Sequence, residues 1–165
     1  MIGLLQEAEV DLLVDVRSFP RSRKNPQFNI DTLPGAMGVA GIGYRHVKEL
    51  GGRRGRQDLG RPSPNGFWRN DGFRNYADYA LTPAFGAALA ELLGWRYENV
   101  CAIMCAEAAW QRCHRQIIAD WLIAAGADVR HIVDTGRIEP ARLNPSAAIT
   151  PDGEVIYPGS QQPLI

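Results

Sequence analysis

The chain has 165 residues, of which 45% are hydrophobic and 22% charged, with 18 basic and 18 acidic side chains and a formal net charge of zero. This is the composition of one ordinary globular domain with a single core, and it excludes a global charge attraction to nucleic acid or membrane. No apolar run approaches the roughly 20 residues that span a bilayer, and no charged-then-apolar leader opens the sequence. The three cysteines, Cys101, Cys105 and Cys113, are odd in number and clustered. That pattern argues against a secreted disulfide scaffold and for reduced thiols in a cytoplasmic protein.

Taken in chain order, Met1 to Glu9 read as the back half of a helix, with Ile2, Leu4, Leu5 and Ala8 on one side. Val10 to Arg17 is the clearest strand. Its alternation puts Leu12, Val14 and Val16 on one face and Leu13, Asp15 and Arg17 on the other. Residues 31–40 form a short helix with Pro34 in its first turn, and Ile42 to Val47 a second strand. Residues 51–72, dense in Gly, Arg, Pro and Asn, are a long loop. Phe73, Tyr76, Ala77 and Ala80 recur at helical spacing. Thr82-Pro83 then opens a helix that buries Phe85, Leu89, Leu92 and Leu93 and stops at Gly94. A short strand at Val100 to Met104 precedes a helix carrying Ile117, Ile118, Trp121 and Leu122, closed by Gly126. Val129 to Val133 is a further strand, and residues 148–157 a hairpin over Pro-Asp-Gly.

Alternating strands and helices predict a three-layer α/β fold with a mostly parallel sheet flanked by helices, Rossmann-like, over residues 1–134. Residues 135–165 form a loop-rich extension, high in Pro and Gly, packed on the same domain. In such folds ligands bind where strands end and helices begin. Met104 to Arg115 packs two thiols, a carboxylate, an imidazole and two guanidiniums into what reads as one strand-to-helix turn.

Four stretches together carry a resemblance: Asp15-Val-Arg-Ser-Phe-Pro-Arg-Ser-Arg-Lys-Asn-Pro26, Leu50-Gly-Gly-Arg-Arg54, Tyr76-Ala-Asp-Tyr79 and Met-Cys-Ala-Glu…Cys-His-Arg at 104–115. They closely resemble the bacterial domain of unknown function 488 family, from Val10 to about Val133, with a weaker echo at Tyr157-Pro158. The resemblance implies an α/β fold and a candidate site but no reaction. Family members usually begin earlier, with a Thr-Ile-Gly-His-Ser strand and a full first helix. The resemblance therefore implies a missing first strand, whose neighbour, at 10–17 or 100–105, keeps unpaired backbone groups.

The candidate catalytic residues are Cys105, Glu107, His114 and Arg115. A thiol at the start of a helix has its pKa lowered by the helix dipole, and Arg112 and Arg115 would add to that field. Its alternative is a small buried hydrophobe, the preferred reading for Cys101 and Cys113. Glu107 is a general acid or base, or else a helix cap. His114, one turn before Ile118, either acts chemically or leans on the core. A phosphatase-type or rhodanese-type loop places its arginine after five intervening residues; here that position is Gln111, with Arg112 one later. A zinc set of Cys105, Glu107, Cys113 and His114 has suitable donors, but adjacent helical residues point about 100° apart and there is no Cys-x-x-Cys pair. No metal or cofactor is therefore expected.

The candidate anion- or nucleic-acid-binding residues are Arg17, Arg21, Arg23, Arg53, Arg54, Arg56 and Trp68, since guanidiniums fork onto phosphates and aromatic rings stack on bases. The reading that follows is a cytoplasmic enzyme acting on a phosphate-bearing small molecule or nucleic acid, with no membrane partner and room for a homodimer. Its rivals are a non-catalytic nucleic-acid-binding module and a thiol redox or metal-sensing protein.

Overall fold

The computed structural model describes residues 1–159. In chain order the elements are α1 (Ile2–Glu7), β1 (Leu12–Asp15), α2 (Leu33–Val39), β2 (Gly43–His46), α3 (Asp71–Tyr79), α4 (Pro83–Trp95), β3 (Cys101–Met104), α5 (Arg115–Ala124), β4 (Arg130–Asp134), β5 (Arg137–Pro140), β6 (Ala148–Ile149) and β7 (Val155–Ile156). β1 is buried along its whole length and lies between β2 and β3, both parallel to it. Strand alternation sorts its side chains as the sequence implies. Leu12, Val14 and Val16 join a core with residues of α3, α4 and α5, while Leu13 packs with Leu5, Leu33 and Met37 from α1 and α2. Helices thus flank a three-stranded parallel sheet.

Local signals set the helix ends. The Asn70 side chain accepts from the Phe73 N–H at 3.2 Å at the start of α3. Thr82 precedes Pro83 at the first position of α4 and accepts from the Phe85 N–H. Gly126, at φ 76°, follows the end of α5 in a conformation that a side chain would disfavour.

Two expectations need correction. Met104 to Arg115 is not a simple strand-to-helix turn: α5 begins only at Arg115, and a loop with one 3-10 turn at Trp110–Arg112 fills the gap. The strand at 130–134 does not extend the parallel sheet. Thr135 and Gly136, the latter at φ 68°, fold β5 back antiparallel on β4, so a local hairpin takes the backbone groups that a parallel neighbour would need. The expectation of a mostly parallel sheet therefore holds for the β2-β1-β3 sheet, while β4-β5 and β6-β7 are separate antiparallel pairs.

The β4-β5 hairpin crosses the expected boundary at residue 134. Further on, Val155 and Tyr157 are fully buried in the main core. The Tyr157 hydroxyl donates to Asp120 at 2.7 Å, and its N–H to Asn65 at 2.9 Å. β1 is paired on both sides, whereas the outer edge of β3 has no strand partner among the described residues. A cavity of about 660 Å³, lined by Leu92, Cys101, Ile103, Ala119 and Ile132 among others, runs beside that strand.

Candidate functional site

The register aligns Asp15 with His46 and Met104, so the carboxyl ends of all three parallel strands share one edge. The segments that leave it meet there: Arg17 to Ser22 after β1, Gly52-Arg53 after β2, and Cys105 to His114 after β3. With Asn70, Gly72 and Phe73 from the start of α3 they line a cavity of about 480 Å³. Arg17, Cys105 and Glu107 share this cavity, as expected for polar groups that directly follow parallel strands.

Two thiols and one imidazole form its chemical centre. His114 Nδ1 lies 3.9 Å from Cys105 Sγ and 3.5 Å from Cys113 Sγ. The imidazole is aimed by packing. Its ring meets Tyr76 edge-on at 4.9 Å, and a Cβ added at Gly52 would fall 2.3 Å from Nδ1. His114 Nε2 is buried with no hydrogen-bond partner. The ring's polar contacts are therefore made through Nδ1, toward the sulfurs.

The thiols differ in setting. Both line the cavity, but Cys105 is half-buried while Cys113 is only 2% exposed. The neighbouring Cys113 thiol, together with burial, pushes the Cys105 thiol up to about 12. The Cys105 thiol beside it, helped against burial by the Arg115 backbone and guanidinium, draws Cys113 down to about 6. Arg115 Nε donates to Cys113 Sγ at 3.4 Å. The helix start that was expected to support Cys105 lies ten residues beyond it, and Arg115 donates to Cys113 instead.

The remaining candidates separate by what they touch. Arg115 also donates to the carbonyls of Glu107 and Ala108, tying down the loop. Glu107 is exposed at the cavity rim and caps no helix. Arg17, 7% exposed, is held by Asp15 through Nε at 2.8 Å and Nη2 at 2.6 Å, and by the Phe28 carbonyl at 2.7 Å. Arg54 spends its donors on the carbonyls of Lys48, Glu49 and Gly51 and lies 3.8 Å over the Tyr79 ring. Arg21 pairs with Asp31 at the surface. Arg23 and Arg56 are exposed and do not line the cavity. Trp68 is packed between Phe73, stacked at 5.1 Å, and Tyr157, edge-on at 5.1 Å.

Arg53 and Arg112 line the cavity, and neither forms an ion pair among the described residues. Arg53 sits beside the ring of Phe19, which is 67% exposed on the same cavity wall. Sequence reasoning did not single out Phe19, and Arg112 entered it as a source of field and as an arginine one place off the phosphatase-type position. The available signal was their position, directly after a strand and directly before the Cys-His pair.

The sequence matches the family described as domain of unknown function DUF488 over residues 1–122. The chain belongs to that family. The matched span holds β1 to β3, most of α5 and every residue lining the thiol–imidazole cavity. No curated protein and no solved structure matches the chain.

Proposed function

We propose that this DUF488 protein is a cytoplasmic enzyme acting on a nucleotide or nucleic acid in the cavity at the carboxyl edge of the β2-β1-β3 sheet. The observation that carries the reading is the placement of two unpaired guanidiniums, Arg53 and Arg112, in one cavity with Cys105 and His114. Two forked cations suit the oxygens of a phosphate. The exposed face of Phe19 beside Arg53 suits a stacked base. The Cys105–Cys113–His114 unit supplies the reacting groups, and Arg115 and Arg17 position the loops around it. The three-stranded parallel sheet supports a Rossmann-like reading, with ligand chemistry gathered where parallel strands end. Residues 135–159, through Tyr157, act as a loop-rich strap on the same domain.

Binding of AMP and of a short mixed-sequence single-stranded oligonucleotide tests this reading. Oligonucleotide affinity should fall with salt. Replacing Arg53 and Arg112 together with Ala should flatten the logarithmic salt slope by about 1.4, the loss of two single-strand phosphate contacts. Phe19→Ala should cost roughly 1–3 kcal/mol of stacking. If neither ligand binds at low salt, or if the double variant binds both as wild type does, the reading is wrong. A second reading, a reversible thiol redox function, is favoured by the closeness of Cys105 and Cys113, whose sulfurs lie within 4.8 Å.

A further inference from the structure

We infer that Cys105, Cys113 and His114 form a transition-metal site that takes one Zn²⁺ ion per chain, with its fourth position open to the anion cavity. Their donor atoms, two sulfurs and Nδ1, all lie within 4.8 Å of one another. Zn–S bonds of about 2.3 Å and Zn–N bonds of about 2.0–2.1 Å give a tetrahedron whose S···N edges are about 3.6 Å and whose S···S edge is about 3.8 Å. The two S···N distances here are 3.5 and 3.9 Å. Both S···N distances already stand near the spacing that the ion requires.

The obstacle visible in the sequence, that neighbours on a helix diverge by about 100°, does not arise. Cys113 has extended backbone, φ −127° and ψ 148°, between the 3-10 turn and α5, and His114 is the N-cap of α5 rather than an interior residue. The change of backbone direction at 113–114 lets both side chains converge. Around them, Arg115 Nε on Cys113 Sγ is the kind of outer contact that orients a thiolate ligand. Gly52 and Tyr76 hold the imidazole so that Nδ1 faces the sulfurs. Three protein ligands of the types Cys, Cys and His, with one open position, make up a catalytic rather than a closed structural zinc site. Cys105 and His114 line the cavity that holds Arg53 and Arg112, so the open position faces that cavity and its two guanidiniums.

This deepens the functional reading by naming the ion of the same cluster. Its test uses no phosphate, so the two ideas fail separately. Full-length protein, reduced and freed of chelator, is titrated with Co²⁺ and then with competing Zn²⁺. The expected result is one Co²⁺ per chain with tetrahedral ligand-field bands and a thiolate-to-cobalt charge-transfer band, both displaced by Zn²⁺. Zinc should also protect Cys105 from iodoacetamide. Cys113→Ser and His114→Ala should each weaken binding by more than the roughly 10–100-fold that loss of an outer-shell partner costs, and Cys101→Ser should not. If Cys113→Ser fails to fold, Cys105→Ser and His114→Gln replace it. Wild-type protein that gives no thiolate–cobalt band, or binding that survives loss of His114 and of either cluster cysteine, overturns the proposal.

Discussion

Gly52 shows how tightly the site is built. A methyl there would fall 2.3 Å from His114 Nδ1 and 2.7 Å from its Cγ, well inside contact distance. Gly52→Ala should push the imidazole away from the sulfurs and cost about 1–3 kcal/mol, the usual range for overpacking. Thermal melting measures the cost, and loss of ligand binding at the cluster reports the displacement. A variant as stable and as active in binding as wild type would show that the ring moves freely. Asp15 is fully buried and receives both Arg17 donors and the Tyr44 hydroxyl at 2.6 Å. Removing one partner of a buried pair leaves an uncompensated charge, so Arg17→Met should destabilise by roughly 3–5 kcal/mol. If Arg17→Met melts within a degree or two of wild type, Arg17 is not the structural clamp described here.

At the scale of elements, the turn after β2 is a 3-10 turn at Lys48–Leu50 braced by side chains. Carbonyls of Lys48, Glu49 and Gly51 accept from Arg54, Glu49 also accepts from Tyr79 at 2.8 Å, and Leu50 accepts from the buried Tyr76 hydroxyl at 2.8 Å. Four consecutive carbonyls are thereby satisfied, and Gly52-Arg53 is presented to the cavity. The neighbouring arginines should separate by experiment. Arg54→Ala should lower the melting temperature without changing the salt slope of oligonucleotide binding, while Arg53→Ala should flatten that slope with little effect on melting. The reverse pattern would exchange their roles. The elements themselves were largely legible: β1 by its Val/Leu alternation, α4 by Thr82-Pro83, the β6-β7 hairpin by Pro-Asp-Gly. Arg54 could not be told from Arg53 in advance, because adjacent residues in a loop have no periodicity that says which one turns inward.

At the scale of the whole molecule, the Tyr157 hydroxyl ties the chain after β7 to Asp120 of α5. Burial raises the Asp120 pKa, against the opposing hydrogen bonds from Tyr157 and the Asn144 N–H. A carboxyl raised in the fold binds its proton more tightly there than in the unfolded chain, so its contribution to stability falls as pH rises from the ordinary carboxylate range through the raised value. Asp120→Asn should remove that part of the pH dependence of the melting temperature. Tyr157→Phe deletes a bond that favours the ionised form. It should cost about 1–3 kcal/mol at neutral pH and less in acid, where the carboxyl is protonated. Identical melting-versus-pH profiles for the two variants and wild type would remove Asp120 from the account.

The sequence by itself determined the class of fold, the two-faced burial of β1 and the meeting of the Asp-Val-Arg and Met-Cys-Ala-Glu segments at one sheet edge. These follow from strand periodicity and the parallel rule, which are local or nearly so. It also placed Cys105, Glu107, His114 and Arg115 in one neighbourhood. What tertiary structure decided was the division of labour among like residues. Arg17 and Arg54 were drawn into carboxylate and carbonyl contacts, and Trp68 was covered by Phe73 and Tyr157, leaving Arg53, Arg112 and Phe19 free. It also broke the expected turn into a loop, a 3-10 turn and a late helix, which swung Cys113 and His114 onto the same point as Cys105. The physical reason is that most buried polar groups and charges must find a partner. Which of several identical side chains finds a partner is settled by atoms distant in sequence.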